Sequence, residues 1–203
     1  MANPTVLMVG LDEAGKTKIL YTLKLGEVTD EKFREVNFDP TVAFNFEVVP
    51  WTYKKVHFNL KIWDLAGRAH LRPMWRHFYE TAPDVLIFVV DDSDKGRKRI
   101  QEARDVFQNL LHDPRLLDTV KVVLVNVRDE NLNVAQDLAD AEDRVRFALG
   151  LNDGHPVSAI ARKVKVMGVR LGKSQKEDKN LFNAVNYICF KCLERASMKR
   201  LVV

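Results

Sequence analysis

Residues 10–17 read Gly-Leu-Asp-Glu-Ala-Gly-Lys-Thr, and this stretch fits the pattern G-x-x-x-x-G-K-[ST] in full. An apolar run at 6–9 precedes it and is typical of a buried strand, while 16–25 follows with apolar residues at helical spacing. A strand, a glycine-containing loop and a helix N-terminus together direct backbone N–H groups and a positive dipole end at a phosphate chain. The pattern therefore predicts a nucleoside triphosphate site in which Lys16 reaches the terminal phosphates and the Thr17 hydroxyl ligates Mg²⁺.

Length and composition favour one domain over residues 1–203. The chain has 203 residues, of which 46% are apolar, enough to bury one sizeable core. Its formal net charge is +4, with acidic and basic residues interspersed, so we expect no nucleic-acid partner. No stretch reaches transmembrane length, and Ala2 excludes N-myristoylation, so we expect no stable membrane anchor. The cationic residues near the C-terminus are compatible with a weak attraction to an acidic membrane surface.

The chain has two cysteines, Cys189 and Cys192, and therefore no disulfide framework is expected. This cysteine usage fits a reducing cytoplasm. The pair has C-x-x-C spacing within an amphipathic helical stretch, with no second pair elsewhere. Buried or half-buried helix thiols are favoured over a zinc or redox site.

Strand and helix patterns alternate along the chain in the manner of an α/β fold. Strands are predicted at 6–9, 42–49, 56–64, 85–90, 121–126 and 164–169, with a turn at 50–55, and helices at 16–25, 97–111, 134–149 and 181–196. A polar, acidic segment covers 26–39, and the stretch 150–161 is typical of a loop. We predict a P-loop NTPase fold, with a doubly wound, mostly parallel six-stranded sheet and helices on both faces.

A second group of residues can complete the metal site. Asp64 ends a predicted strand and can hold the Mg²⁺ hydration shell, while Gly67 can offer its N–H to a γ-phosphate. Thr41, in the sequence Asp-Pro-Thr, supplies a second hydroxyl for the metal. The alternatives are an ordinary helix cap for Asp64 and an ordinary turn around Thr41.

These residues, in this order, resemble the Arf/Arf-like branch of the Ras superfamily of small GTPases. The similar motifs are Gly-Leu-Asp-x-Ala-Gly-Lys-Thr at 10–17, Leu-Lys-Leu-Gly-Glu at 23–27, Pro-Thr-x-x-Phe-Asn at 40–45, Trp-Asp at 63–64, Leu-Arg-Pro-Met-Trp-Arg-His at 71–77 and Leu-Ile-Phe-Val-Val-Asp at 86–91. The resemblance implies a cytoplasmic GTP/GDP switch that meets membranes peripherally through its partners. Two loops, around Thr41 and Gly67, would be ordered by γ-phosphate and Mg²⁺.

The resemblance also implies a set of site residues. Nucleotide contacts are expected at Asp12, Glu13, Ala14, Gly15, Lys16, Thr17, Thr41, Gly67, Asn126, Asp129 and Arg170. Mg²⁺ is expected at Thr17 and Thr41, and at Asp64 through water. The catalytic positions are Lys16, Gly67 and Arg68. Phe44, Trp63 and Phe78 match the family's aromatic triad, whose third member is usually tyrosine, and would contact effectors, exchange factors and GTPase-activating factors. Simple core packing of Trp63 and Phe78 is the alternative.

The sequence departs from the family pattern at two informative positions. Arg68 stands where the family has the glutamine that orients the attacking water, and a guanidinium has only donors, so we expect slow hydrolysis. Asn126-Val127-Arg128-Asp129 stands in place of Asn-Lys-x-Asp. Asp129 can still accept from guanine, but Val127 is a short substitute for the lysine stem that covers the base. We expect reduced affinity with guanine preference retained.

A lengthened hairpin around residues 49–55 is a further departure. It contains Trp51, which favours either a divergent partner surface or plain hairpin packing.

Three functions stay open on the sequence. The first is a slowly hydrolysing Arf-like GTPase that binds effectors in its GTP form. The second is a non-catalytic interaction module with weak or structural nucleotide binding. The third, a P-loop ATP-dependent enzyme such as a small kinase, is disfavoured by Asp129 and by the Thr41, Asp64 and Gly67 set.

Overall fold

The computed structural model describes residues 1–25, 41–128, 134–152, 163–171 and 175–201. Its strands are β1 (Thr5–Gly10), β2 (Phe44–Tyr53), β3 (Val56–Leu65), β4 (Val85–Asp91), β5 (Val120–Asn126) and β6 (Val164–Val169). Its helices are α1 (Lys16–Leu25), α2 (Trp75–Phe78), α3 (Asp94–Lys98), α4 (Ile100–Leu111), α5 (Val134–Ala148) and α6 (Gln175–Leu201), and short 3₁₀ helices cover Ala69–Met74 and Pro114–Leu116.

The described strands form one six-stranded sheet in the order β2-β3-β1-β4-β5-β6. Among the strands that the structure describes, the β2–β3 hairpin is the only antiparallel pair, and the other neighbouring pairs are parallel. Strand β1 has β3 on one side and β4 on the other, so the strands that follow it in sequence are added first on one side and then on the opposite side. This reversal creates a switch point at the carboxyl end of β1, which is where ligands bind in open α/β sheets.

Helices cover both faces of the sheet, as predicted. Alternate residues of the central strands face opposite sides, so Leu7 and Val9 pack in a cluster with α4 and α5. Val6 and Met8 pack in the other cluster, with α1 and α6. The continuous apolar runs of β4 and β5 are therefore buried from both sides.

The hairpin differs from the prediction. Strand β2 runs through Pro50 and Trp51 to Tyr53, and the turn is Lys54–Lys55, both with positive φ (47° and 65°). Proline is tolerated because β2 is an edge strand, whose outer side has no ladder partner to lose. The prediction of a turn at 50–55 was therefore wrong at its start.

Several helix boundaries also differ. The helix expected at 97–111 is two pieces, α3 and α4, separated at Arg99, and α6 extends beyond the expected 181–196. The 3₁₀ helix at Ala69–Met74 and helix α2 were not predicted. The polar segment at 26–39, and residues 153–161 of the expected loop, lie outside the described residues. None of the helices in the described ranges combines the length and the apolar character needed to cross a membrane.

Candidate functional site

The carboxyl ends of the parallel strands bring the predicted site residues to one edge of the sheet. Gly10 ends β1 and leads directly into the phosphate loop. In the next strands Asp91, Asn126 and Val169 are aligned in register at the same edge. Motifs that are more than 100 residues apart in sequence therefore meet at the switch point.

The phosphate loop is held in shape by its own lysine and by the base-reading segment. Lys16 is buried, and its Nζ donates to the carbonyls of Gly10 (3.1 Å) and Leu11 (2.8 Å). Burial lowers the pKa of Lys16 to about 8, although nearby Asp64 and Asp12 oppose that shift. Asn126 Nδ2 donates to the carbonyl of Ala14 at 3.0 Å, which fastens the loop to β5.

Gly15 has to be glycine at this junction. Its φ is +94°, and a Cβ on it would lie 2.3 Å from Asn126 Nδ2.

The expected metal ligands meet through one hydroxyl. Thr17 donates to Asp64 Oδ2 at 2.7 Å, and its Oγ1 lies 3.0 Å from Thr41 Oγ1. Asn45 Nδ2 donates to Asp64 Oδ2 (3.2 Å) and to Thr41 Oγ1 (3.4 Å), so it links the same groups from β2. The start of α1, the segment before β2 and the end of β3 are therefore joined at a single point.

This group of oxygens fits Mg²⁺. Asp64 is fully buried, and its Oδ1 has no hydrogen-bond partner among the described residues. Burial raises the pKa of Asp64, with the Thr17 hydrogen bond as the main opposing influence. A buried carboxylate with a free oxygen beside two hydroxyls offers the hard oxygen ligands that Mg²⁺ prefers, and a cation there would offset the cost of burying the charge.

Gly67 lies directly on the phosphate loop. A Cβ at this position would be 2.3 Å from Asp12 N and 2.4 Å from Gly10 O, so only glycine permits the approach. Trp75 Nε1 donates to the Ala66 carbonyl at 2.9 Å and anchors the segment from the other side. Arg68, the next residue, is exposed to solvent.

Two arginines neutralise the carboxylate within the loop. Arg99 Nη2 donates to Asp12 Oδ1 at 2.8 Å, and Arg72 Nη2 lies 3.7 Å from the same oxygen. Arg72 also donates to the Gly67 carbonyl (2.7 Å), and both arginines pair with Glu102. The hydrogen bond from Arg99 holds the pKa of Asp12 below its usual value. Phosphates would thus meet a loop whose acidic side chain is already compensated.

The base-reading segment is only partly described. Val127 is 7% exposed and belongs to the apolar core, so little of its side chain is available to a base. Arg128 Nη2 donates to the carbonyl of Glu13, whose carboxylate pairs with Lys95. Asp129 lies outside the described residues, and Arg170 follows β6 at the same edge, half-buried.

The three aromatic residues of the expected partner surface contact one another. The ring centroids of Phe44, Trp63 and Phe78 are 5.3 to 5.4 Å apart in each pair. Trp63 and Phe78 also pack against the core, whereas Phe44 is 47% exposed. Phe46, which is also exposed, lies 4.5 Å from Trp63. Core packing and an exposed aromatic surface are therefore both present in the cluster.

Trp51 on the lengthened hairpin packs inward. Its Nε1 donates to Asn186 Oδ1 at 2.9 Å, and its ring lies 5.5 Å from that of Phe182, so it joins β2 to α6. Of the two interpretations of this residue, packing is the one the geometry supports. The two cysteines of α6 are free thiols, Cys189 buried and Cys192 half-buried, as predicted.

Comparison with known proteins gives the class of protein that this fold and site define. A family model described as the ADP-ribosylation factor family matches residues 2–188, so the chain belongs to that family of small GTPases. A similar solved structure is that of the Arl6 (BBS3) small GTPase from Trypanosoma brucei with a bound nucleotide analogue, GppNp. The two are 19% identical, the match covers 97% of this chain and 99% of that one, and the TM-score is 0.64. At this identity the likeness shows the fold.

Sequence reasoning did not assign roles to several residues that contact the loop. Arg72, Arg99, Glu102 and Arg128 all reach it or its immediate partners. The i,i+3 spacing of Arg99 and Glu102 indicates a local ion pair on a helix. Nothing local indicates that the pair also contacts a loop almost 90 residues away.

Proposed function

We propose that this chain is a single G domain that acts as a Mg²⁺-dependent guanine-nucleotide switch. Its GTP-bound form would recruit protein effectors through the aromatic surface of Phe44, Trp63 and Phe78. Exchange factors and GTPase-activating factors would use the same surface.

The observation that carries the proposal is the junction at Thr17. Its hydroxyl bonds to Asp64 and lies in hydrogen-bonding distance of Thr41, so three separate chain segments share one contact point. When bound, Mg²⁺ would supply a positive charge shared between the phosphates and these oxygens. Thr17 and Thr41 would ligate it directly, and Asp64 would hold it through water. A site built from separable segments responds to the presence of γ-phosphate, which is what a switch requires.

The aromatic surface is attached to the same segments. Phe44 starts β2 three residues after Thr41, and Trp63 immediately precedes Asp64 on β3. The Ala66 N–H donates to the Ala43 carbonyl at 2.9 Å, which ties the start of β2 to the segment that ends in Gly67. A change of ligand at the metal would therefore move the residues that a partner contacts.

Hydrolysis is expected to be slow because Arg68 cannot accept a hydrogen bond from the attacking water. The exposed guanidinium can still stabilise phosphate charge. A second candidate, a non-catalytic module with weak nucleotide binding, is favoured by this same residue and by the burial of Val127.

Nucleotide titration with and without Mg²⁺ tests the proposal. GTP and GDP should bind with Mg²⁺-dependent affinity, and ATP should bind much more weakly. Asp64→Asn should weaken the Mg²⁺ dependence, because a neutral amide holds a metal-bound water less tightly than a carboxylate does. Undetectable binding would favour the non-catalytic module, and a preference for ATP would favour a different P-loop enzyme.

Single-turnover GTP hydrolysis tests the role of Arg68. Arg68→Gln should hydrolyse GTP faster than the unsubstituted chain, since an amide both donates and accepts. Arg68→Lys is the matched control, because it keeps the charge without restoring an acceptor. An unsubstituted rate equal to or above that of Arg68→Gln would contradict slow hydrolysis.

A further inference from the structure

We propose that Arg128 supplies the cationic cover of the bound purine nucleotide, the role for which Val127 is too short and too deeply buried. The inference rests on the proposed function and names a binding residue within it. Arg128 occupies the third position of Asn126-Val127-Arg128-Asp129, where the family pattern accepts any residue.

The Arg128 guanidinium lies along the phosphate loop. Arg128 Nη2 donates to the Glu13 carbonyl, and it would lie 3.7 Å from a Cβ built on Gly15. Its Nε is 3.3 Å from Asp91 Oδ1. The side chain starts in the base-reading segment and ends along the phosphate loop, so it spans the two halves of the nucleotide site.

Side chains past the end of β5 alternate between the core and the phosphate loop. Val125 and Val127 both belong to the apolar cluster under α4 and α5. Asn126 and Arg128 instead contact consecutive loop carbonyls, those of Ala14 and Glu13. The Val127 N–H donates to the Val169 carbonyl at 2.9 Å, which fixes the segment in this register. The backbone therefore assigns residue 127 to the core and residue 128 to the loop.

The chemistry of arginine suits a contact with a purine base. A guanidinium is planar and weakly hydrated, and it stacks on aromatic faces as well as donating hydrogen bonds. The Arg128 side chain is 44% exposed, so part of the side chain remains accessible while one edge of the guanidinium contacts Glu13 and Asp91. An arginine held at its edge keeps a flat surface for a purine ring, which is what stacking on a base requires.

The test compares a nucleotide with a base-free probe. Affinity for GDP and for inorganic pyrophosphate, both with Mg²⁺, is measured for the unsubstituted chain, Arg128→Ala and Arg128→Lys. Arg128→Ala should weaken GDP binding about tenfold, the loss typical of one stacking contact, and pyrophosphate binding less than about twofold. The GDP affinity of Arg128→Lys should lie between those of Arg128→Ala and the unsubstituted chain, because lysine keeps the charge and loses the flat surface.

Lys95→Ala is the matched control. Lys95 pairs with the Glu13 carboxylate, so its removal disturbs the same loop residue from another side. Lys95→Ala should weaken the binding of GDP and of pyrophosphate less than about twofold, the size of effect expected from loss of an exposed ion pair. The melting temperature without nucleotide should fall by only a few degrees in Arg128→Ala, because the substitution removes a partly exposed ion pair with Asp91.

The outcomes separate the inference from the function on which it rests. Equal losses of GDP and pyrophosphate affinity in Arg128→Ala would overturn the inference, since Arg128 would then act only on the loop. If the unsubstituted chain binds GDP tightly and Arg128→Ala binds it equally well, the inference about Arg128 is overturned, whereas the proposed switch function is not affected. Undetectable GDP binding by the unsubstituted chain would overturn both.

Discussion

Replacing Gly67 by alanine adds one methyl group at the closest contact between two parts of the site. The new Cβ would lie 2.3 Å from Asp12 N, 2.3 Å from Leu11 C and 2.4 Å from Gly10 O. All three are backbone atoms of the phosphate loop, and none can rotate away as a side chain would. The Gly67 segment must therefore move off the loop.

The size of the effect follows from the bonds that this movement breaks. The Gly67 N–H would donate a hydrogen bond to the charged γ-phosphate, and a bond of this kind contributes about 1.5–3 kcal/mol. GDP has no γ-phosphate, so only GTP loses this bond. Gly67→Ala should thus weaken GTP binding about 10- to 100-fold and change GDP binding by less than about threefold.

Equilibrium titration of both nucleotides in excess Mg²⁺ measures the ratio of the two dissociation constants. Gly150→Ala is the control, because Gly150 has a φ of +72° and contacts α4 rather than the phosphate loop. It should cost about 1 kcal/mol of stability through backbone strain and leave the GTP/GDP ratio unchanged. Equal weakening of both nucleotides by Gly67→Ala would refute the assignment of Gly67 to the γ-phosphate.

Three further outcomes are expected. Arg99→Ala should lower the free energy of unfolding by about 1 kcal/mol at pH 7, a value reduced for partial exposure of the pair. The pKa of Asp12 in the folded state lies below its ordinary value of 3.8, so the ion pair is lost as the pH falls below 3.8. The difference in unfolding free energy between Arg99→Ala and the unsubstituted chain, measured by urea titration, should therefore shrink below pH 3.8, and a difference that stays constant would contradict the role of the pair. In a double-mutant cycle, Trp51→Phe and Asn186→Ala should show about 1 kcal/mol of coupling, and strictly additive losses would mean that their 2.9 Å hydrogen bond contributes nothing. Burial raises the pKa of Cys189 to about 12, so alkylation by iodoacetamide at pH 8, followed by mass spectrometry, should be about 1000-fold slower in the native than in the unfolded chain, and comparable rates would show that the thiol is accessible.

Much of the fold was predictable because its signals are local. The phosphate loop, helix α1 and the apolar strands depend on spacing within about ten residues, and their positions agree closely with the prediction. The hairpin was misjudged at Pro50, since proline usually ends a strand. Pro50 is tolerated within a strand because β2 lies at the edge of the sheet, and no local sequence pattern reveals that position.

The candidate site divides in the same way. The residues expected at the metal, Thr17, Thr41 and Asp64, each belong to a recognisable motif, and the structure brings their side chains together. The partners of Asp12 were not identifiable, since Arg72 and Arg99 lie 60 and 87 residues further along the chain. Their contact with the loop depends on the packing of α4 and of the segment after β3.

The sequence by itself determined the phosphate loop, its strand and helix, and the family to which the chain is similar, because these depend on residues adjacent in the chain. Only the tertiary structure decided which side chains surround that loop. It assigned Val127 to the core and Arg128 to the Glu13 carbonyl, although the two residues are neighbours. The physical reason is that successive side chains of an extended strand point to opposite sides, and the register with β6 decides which side meets the loop.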